Sequence, residues 1–339
     1  MAEVSYSVLS MWFLMVASLS SILLIAAVFL ARRLDMLDLP GDRQVHTTPT
    51  FTGGGIGLIS ALIVSSLLPF INEQITPLWH QAVLPGLLVL TLVGWMDDRK
   101  SLSAIFRLLI QLAVSFGLLS CIALSGYQFG WLNGLLGAIA IVWIMNFYNF
   151  MDGSNGMAGF QGLFTGILLA VLFQLKNQPD LMIPAILVAA SCAGFLPFNF
   201  PRPRVFMGDS GSVPLGFAIG ALLAFGLIRD AIDFPQAILV LTVFLIDSSL
   251  TLINRVIRGE RWYTPHKQHV YQRLIGQGWP HSRVLLLYQA VNVFFVVPVV
   301  MLATLYPEYA WPLTGTSFLL LTAGWYMASH NMRCKNERQ

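Results

Sequence analysis

Charge is what this sequence has least of. Of its 339 residues only 10% are Asp, Glu, Lys or Arg, against 56% hydrophobic, and the mean hydropathy is +0.72. Soluble domains carry about 25% charged residues, so an ordinary water-soluble fold is excluded. Cysteine is nearly absent: Cys121 and Cys192 fall in apolar runs and Cys334 in the tail, which supports neither a disulfide framework nor a zinc site. There is no internal repeat and no stretch polar enough for a soluble domain. A basic domain for nucleic acid is missing too, because the loop arginines are interleaved with acids.

What fills the chain instead is apolar runs. A bilayer-crossing helix needs about 20 mainly apolar residues. Such runs lie near 9–31, 54–72, 82–96, 105–125, 131–147, 157–175, 181–199, 213–229, 234–254, 284–305 and 311–329, the third being short. The first is too long for a secretory leader, has an acidic front at Glu3, and is closed by Arg32 and Arg33, so it reads as a retained helix. The pattern predicts an all-α integral membrane protein of about eleven transmembrane helices, forming a single polytopic domain over 1–339. With the N-terminus outside, the connectors and helix ends facing the cytoplasm hold 17 of the 19 Lys and Arg residues; Lys176 and Arg229 are the exceptions. That asymmetry predicts a periplasmic N-terminus and a cytoplasmic C-terminus.

Polar chemistry collects on the same side. Asp97 and Asp98 follow the third run and precede Arg99 and Lys100. They read either as a solvated interface or as hard oxygen ligands for Mg²⁺, which typically uses one or two carboxylates plus substrate phosphates. Asn146, Asn149 and Asp152 recur every three residues, a spacing that groups them on one side of a helical turn. Gly153, Gly156 and Gly159 follow, allowing close backbone approach or unusual backbone angles. Asp209 sits in FMGDSGS, with Arg202 and Arg204 behind it. Glycine and serine N–H groups at a helix entry make an anion-binding concavity, where an aspartate repels phosphate unless a cation lies between them. Asp209 is therefore the strongest candidate metal ligand; plain capping is the alternative.

The longest loop reads RVIRGERWYTPHKQHVYQRL after Asp247 and Asn254. Thr264 and Pro265 predict a helix start, which puts His266, Lys267, His269 and Arg273 in the first two turns. Cations are unfavourable there unless an anion is bound, so the segment suggests a phosphate clamp, or else a basic helix on anionic lipid. His281 and Arg283 add weakly. In the first loop, Arg43 and His46 precede Gly53, Gly54, Gly55 and Gly57, an entry that suits phosphate or helix packing.

Carboxylates for a divalent cation, basic groups for phosphate and asparagines for neutral polar groups together imply a cytosolic diphosphate. The membrane setting implies a lipid as its reaction partner. Phosphoryl transfer between them needs positioning and charge neutralisation more than covalent help. Transport is the rival class, but transporters place ionisable groups near the midplane of repeated halves, which this chain does not.

These motifs resemble the polyprenyl-phosphate N-acetylaminosugar-1-phosphate transferase family. DD after a short span, NxxNFMDGxNGxAG, FMGDSGS and PHxxHVYQRL keep the family's order and spacing from about Asp38 to Arg283. The resemblance implies an enzyme of a bacterial inner membrane, using Mg²⁺ (Mn²⁺ as an alternative), a UDP-activated amino sugar and undecaprenyl phosphate, with a homodimer left open. It implies that Asp209, with Asp152, binds the metal and that Phe206 stacks near uracil. Asn149 and Asp152 would lie beside the nucleotide and diphosphate, Asp97 and Asp98 beside the lipid phosphate, and His266 and His269 near phosphates or sugar. Asn155, Lys100, Arg204, Lys267, Arg273, Arg43 and His46 complete the expected substrate-binding set. Two departures stand out. Asn155 replaces the aspartate of many relatives, and HKQHVYQ replaces the three histidines of the MurNAc-pentapeptide branch, so the chain looks more like the O-antigen and capsule branch. Which UDP-sugar is used, and whether transfer is direct or covalent, stay open.

Overall fold

The structure is a computed structural model that describes residues 5–34, 37–38, 50–260 and 266–336, with the side chains at 37–38 and 330–336 outside the description. The expected sites Arg43 and His46, and the expected helix start at Thr264 and Pro265, fall outside the described residues.

Helices dominate, as the apolar runs require. They are α1 (Tyr6–Arg33), α2 (Gly55–Ser66), α3 (Pro69–Asn72), α4 (Leu84–Arg99), α5 (Ala104–Leu124), α6 (Trp131–Met151) and α7 (Met157–Leu175). They continue as α8 (Pro179–Asn199), α9 (Asp209–Ile228), α10 (Phe234–Ile257), α11 (Val270–Gly276), α12 (His281–Val291), α13 (Val297–Leu305) and α14 (Ala310–Asn336). A two-residue antiparallel pair, β1 (Leu37–Asp38) and β2 (Thr50–Phe51), joins α1 to α2.

Among the described residues, nine helices are long and apolar enough to cross a membrane. In two of them a π-helical turn joins neighbouring segments: Trp79–Val83 runs into α4, and Asn292–Val296 links α12 to α13. The short third run thus becomes a 21-residue helix from Trp79 to Arg99. The second run is where the reading needs correcting. It breaks after Ser66, giving the 12-residue α2 and the one-turn α3, because Pro69 starts a new helix rather than continuing the old one. The last run is helical, but Thr, Gly, Trp and Tyr dilute it and it is not among the nine.

The bundle is built round α9, in which every residue from Ser210 to Leu223 is buried. Helices α2, α4, α6, α7 and α8 pack against it, and α1 lies outside α2 and α8. Glycine makes the closest approach: a Cβ on Gly55 would fall 2.1 Å from the Gly211 Cα, so α2 and α9 touch backbone to backbone. This packing brings the C-terminal ends of α4 and α6 to the N-terminal end of α9. At the opposite end an Arg229–Asp180 ion pair ties α8 to the end of α9, and the Asp180 carbonyl accepts from the Thr76 N–H at 3.3 Å.

Candidate active site

The acidic residues picked from the sequence converge where those three helix ends meet. Asp209, the first residue of α9, is the hub. Its Oδ1 accepts from Asn149 Nδ2 at 2.7 Å, and its Oδ2 from Arg107 Nη1 at 3.0 Å. The same Arg107 nitrogen donates to Asp97 Oδ2 at 2.7 Å. Asn149 also reaches Ser212 Oγ at 3.1 Å. One turn earlier on α6, Asn146 donates to Gln111 Oε1 of α5 at 2.8 Å. Of the expected Asn146–Asn149–Asp152 grouping, Asn149 and Asp152, the C-cap of α6, lie by Asp209, whereas Asn146 turns to α5. Asp152 is half-buried. Burial first, and then its carboxylate neighbours Asp209 and Asp98, push its carboxyl well above the usual carboxylate range.

Asp98 does something the sequence reading did not anticipate. Its Oδ1 accepts the Asp209 N–H at 2.9 Å, and its Oδ2 accepts the Ser210 hydroxyl at 2.7 Å and N–H at 3.3 Å. The concavity at the start of α9, expected to take a phosphate, is therefore filled by a carboxylate of the chain itself. The physical reason is the same in either case, since unpaired N–H groups at a helix start favour an anion. Gly208 makes the fit, with φ 73° and its Cα close enough that a Cβ would sit 2.5 Å from Asp98 Oδ2.

The glycine-rich entry at 53–57 resolves as packing rather than as a phosphate loop. The Gly54 and Gly55 N–H groups donate to the Phe206 and Met207 carbonyls at 2.9 Å each, and the Phe206 N–H donates to the Phe51 carbonyl at 2.8 Å. The 205–207 segment is thereby laid along β2, leaving Phe206 half-buried just ahead of the Asp209 hub. Asn199, missed by the sequence reading, braces this segment: its Nδ2 donates to the Val205 carbonyl at 2.9 Å and its Oδ1 accepts the Gly156 N–H at 2.6 Å. Asn155 is buried, and its Nδ2 donates to the Pro201 carbonyl at 3.2 Å as a second brace. Arg204 and Lys100 are exposed at the rim.

The histidine loop differs most from expectation. The helix starts at Val270 with His269 as N-cap, its N–H donating to Gln272 Oε1 at 3.3 Å. His266 and Lys267 precede that helix, and Arg273 lies in its last turn, where a cation is favoured. The expected conflict between cations and the helix dipole is therefore absent, and with it that argument for a clamp. His269 is buried, and the His266 ring lies 5.0 Å from it. Burial, then the neighbouring His269 and Arg255, push His266 down to about 4. Tyr271 docks this helix on the Asp152 segment: its hydroxyl donates to the Phe150 carbonyl at 2.9 Å and fills the space where a Gly153 side chain would be. Ser154 Oγ is 2.9 Å from His281 Nδ1 at the start of α12.

Residues 80–227 match glycosyl transferase family 4. The chain is 31% identical over 301 residues to the decaprenyl-phosphate N-acetylglucosaminephosphotransferase of Mycobacterium leprae, covering 76% of this chain and 74% of that one. The chain belongs to this family. It is also 27% identical to a probable undecaprenyl-phosphate N-acetylglucosaminyl 1-phosphate transferase of Bacillus subtilis, over 85% of this chain and 83% of that one. A phospho-N-acetylmuramoyl-pentapeptide-transferase of a Synechococcus strain is 32% identical over 67% and 68% of the two chains. Multi-pass membrane placement follows from the helices and the family together.

Family 4 membership gives the geometry a chemical frame. Asp209 has Asp97, Asp98 and Asp152 as carboxylate neighbours, and the Arg107 guanidinium is paired to Asp97 and Asp209. An excess of converging carboxylate is relieved by a hard cation. Among the described residues no three acidic, histidine or cysteine side chains form a ready-made cage.

Proposed function

We propose that this chain transfers an N-acetylaminosugar 1-phosphate from a UDP-sugar to undecaprenyl phosphate, releasing UMP, at the cytoplasmic face of a bacterial inner membrane. The observation that carries the reading is the convergence of Asp97, Asp152, Asp209, Asn149 and Arg107 at one end of the bundle. The names of the relatives favour GlcNAc as the sugar, and UDP-QuiNAc and UDP-FucNAc remain alternatives. The product would start an O-antigen or related surface polysaccharide.

In the reaction, an oxygen of the lipid phosphate attacks the sugar-bearing phosphorus of the UDP-sugar. The bond to the bridging oxygen breaks, and that oxygen leaves with UMP. Asp209, with Asp152, would hold Mg²⁺, which neutralises the diphosphate when bound. Arg107 is released from Asp209 to meet phosphate oxygens, and Asn149 keeps Asp209 oriented. Phe206 offers a face for uracil, with Arg204, Lys100 and Lys267 at the rim. A phosphate monoester has a second pKa of about 6, so the attacking lipid is already mostly dianionic at neutral pH. Little proton removal remains, and Asp97, hydrogen-bonded to Arg107 and the Leu102 N–H, is better suited to orientation than to base catalysis.

The test uses the purified full chain with undecaprenyl phosphate, Mg²⁺ and a panel of UDP-sugars that includes UDP-MurNAc-pentapeptide. UMP release matched by a lipid diphosphate-sugar in mass spectra, abolished by EDTA, is expected. Absence of UMP with every donor overturns the reading, and intact UDP-sugar accumulating in proteoliposomes would favour transport instead.

A further inference from the structure

Asp247 is a buried carboxylate inside a membrane-spanning helix, and the transfer chemistry above has no use for it. Such a residue inside an apolar bundle calls for a function. Its surroundings are specific. Oδ2 accepts from Tyr288 of α12 at 2.6 Å; Oδ1 accepts from Trp325 of α14 at 3.1 Å, from Thr251 one turn along α10 at 3.3 Å, and from the Val270 N–H of α11 at 3.0 Å. The carboxylate thus pins the start of α11, the residue after His269.

His269 completes the arrangement. Its Nδ1 is buried, makes no hydrogen bond of normal length and stands 3.8 Å from Asp247 Oδ1, while the side chain also faces the Gln272 N–H at the start of α11. A ring nitrogen facing a carboxylate is repelled if it presents a lone pair and attracted if it carries a proton, so the Nδ1–H form is favoured. The ring is stacked on Tyr271 at 5.8 Å and on Phe150 at 6.2 Å, with His266 at 5.0 Å. Phe150 stands between Asn149 and Met151, on the turn that carries the Asp209 contact. Asp247, His269 and Phe150 therefore form a continuous path from the C-terminal helices to the acidic centre.

We propose that Asp247 is a positioning residue: it holds His269 as the Nδ1–H form against Phe150 and, through the neighbouring rings, sets His266 at the mouth of the site. This separates the two histidines treated alike in the sequence. The half-buried His266 meets substrate, and the buried His269 aligns it. The inference rests on the transferase reading.

A double-substitution cycle on the full-length chain in nanodiscs tests it. Asp247→Asn is expected to lower kcat by about tenfold or more with little change in KM, and Asp247→Glu to recover part of that loss. In a His269→Gln background Asp247→Asn should cost nothing further, because the two act as one unit. Effects that multiply would overturn the proposal. A second readout needs no change at 247: ¹⁵N-histidine NMR of the otherwise unaltered chain, with the His269 signal assigned by its loss in His269→Gln. A protonated Nδ1 is expected, and an unprotonated Nδ1 overturns the proposal even if Asp247→Asn fails to fold. An unaltered chain that releases no UMP refutes the transferase reading, and the NMR result then decides the Asp247–His269 pairing by itself.

Discussion

Arg107 joins Asp97, 10 positions away, to Asp209, 102 positions away. No spacing rule in a single sequence links those three, and in the apolar α5 segment the arginine reads only as part of the charge asymmetry. Asp209, Asn149 and Asp152 were legible because polar residues so dense at the edge of an apolar run require a purpose. Asp98 was read as a candidate, but its work on the α9 backbone depends on a crossing that sequence does not show. These roles separate experimentally. Arg107→Gln should lower kcat/KM by about 100-fold, as loss of a charge-stabilising donor does, with Arg107→Lys keeping part of the rate. Asp98→Asn should instead lower thermal stability by about 1–3 kcal/mol along with activity, because it weakens a half-buried acceptor of three donors. His266 supplies a pH signature. The folded chain refuses a proton until about 4, whereas the unfolded histidine takes one near 6.5, so stability is full above 6.5 and declines as pH falls toward 4. His266→Gln should flatten that acid-side loss in thermal-unfolding scans; an unchanged slope would show that other groups cause it.

Among the elements, hydropathy revealed the helices and local contacts decided their ends. Pro69 divided the second run, and the helix expected from Thr264 and Pro265 instead starts at Val270. A Thr-Pro pair is a good start signal, yet the Val270 N–H bonded to Asp247, 23 residues earlier, and the docked Tyr271 fix this helix from outside its own sequence. The glycines at 53–57 look like a phosphate loop in sequence and act as close contacts instead, Gly54 with the 205–206 segment, Gly55 with α9 and Gly57 with α1. Gly55→Ala should therefore cost about 1–3 kcal/mol through overpacking. Gly117→Ala in α5, where a Cβ would meet nothing within 4 Å, should cost nothing. Equal thermal shifts for the two would refute the close contact of α2 with α9.

For the molecule as a whole, the excess of apolar residues made the membrane fold readable, and the polar-dense segments around Asp97, Asn149, Asp152 and Asp209 are ones the structure brings together. The assembly of that end was not readable, because it comes from α4, α5, α6 and α9 meeting through contacts far apart in the chain. The central claim is that these helix ends grip a diphosphate through a divalent cation. Mn²⁺ binding followed by electron paramagnetic resonance, with and without UDP-sugar, tests it most directly. Nucleotide-dependent Mn²⁺ binding by the unaltered chain, lost in Asp209→Asn at unchanged thermal stability, is the result predicted; Mn²⁺ and nucleotide binding that survive Asp209→Asn intact would contradict it.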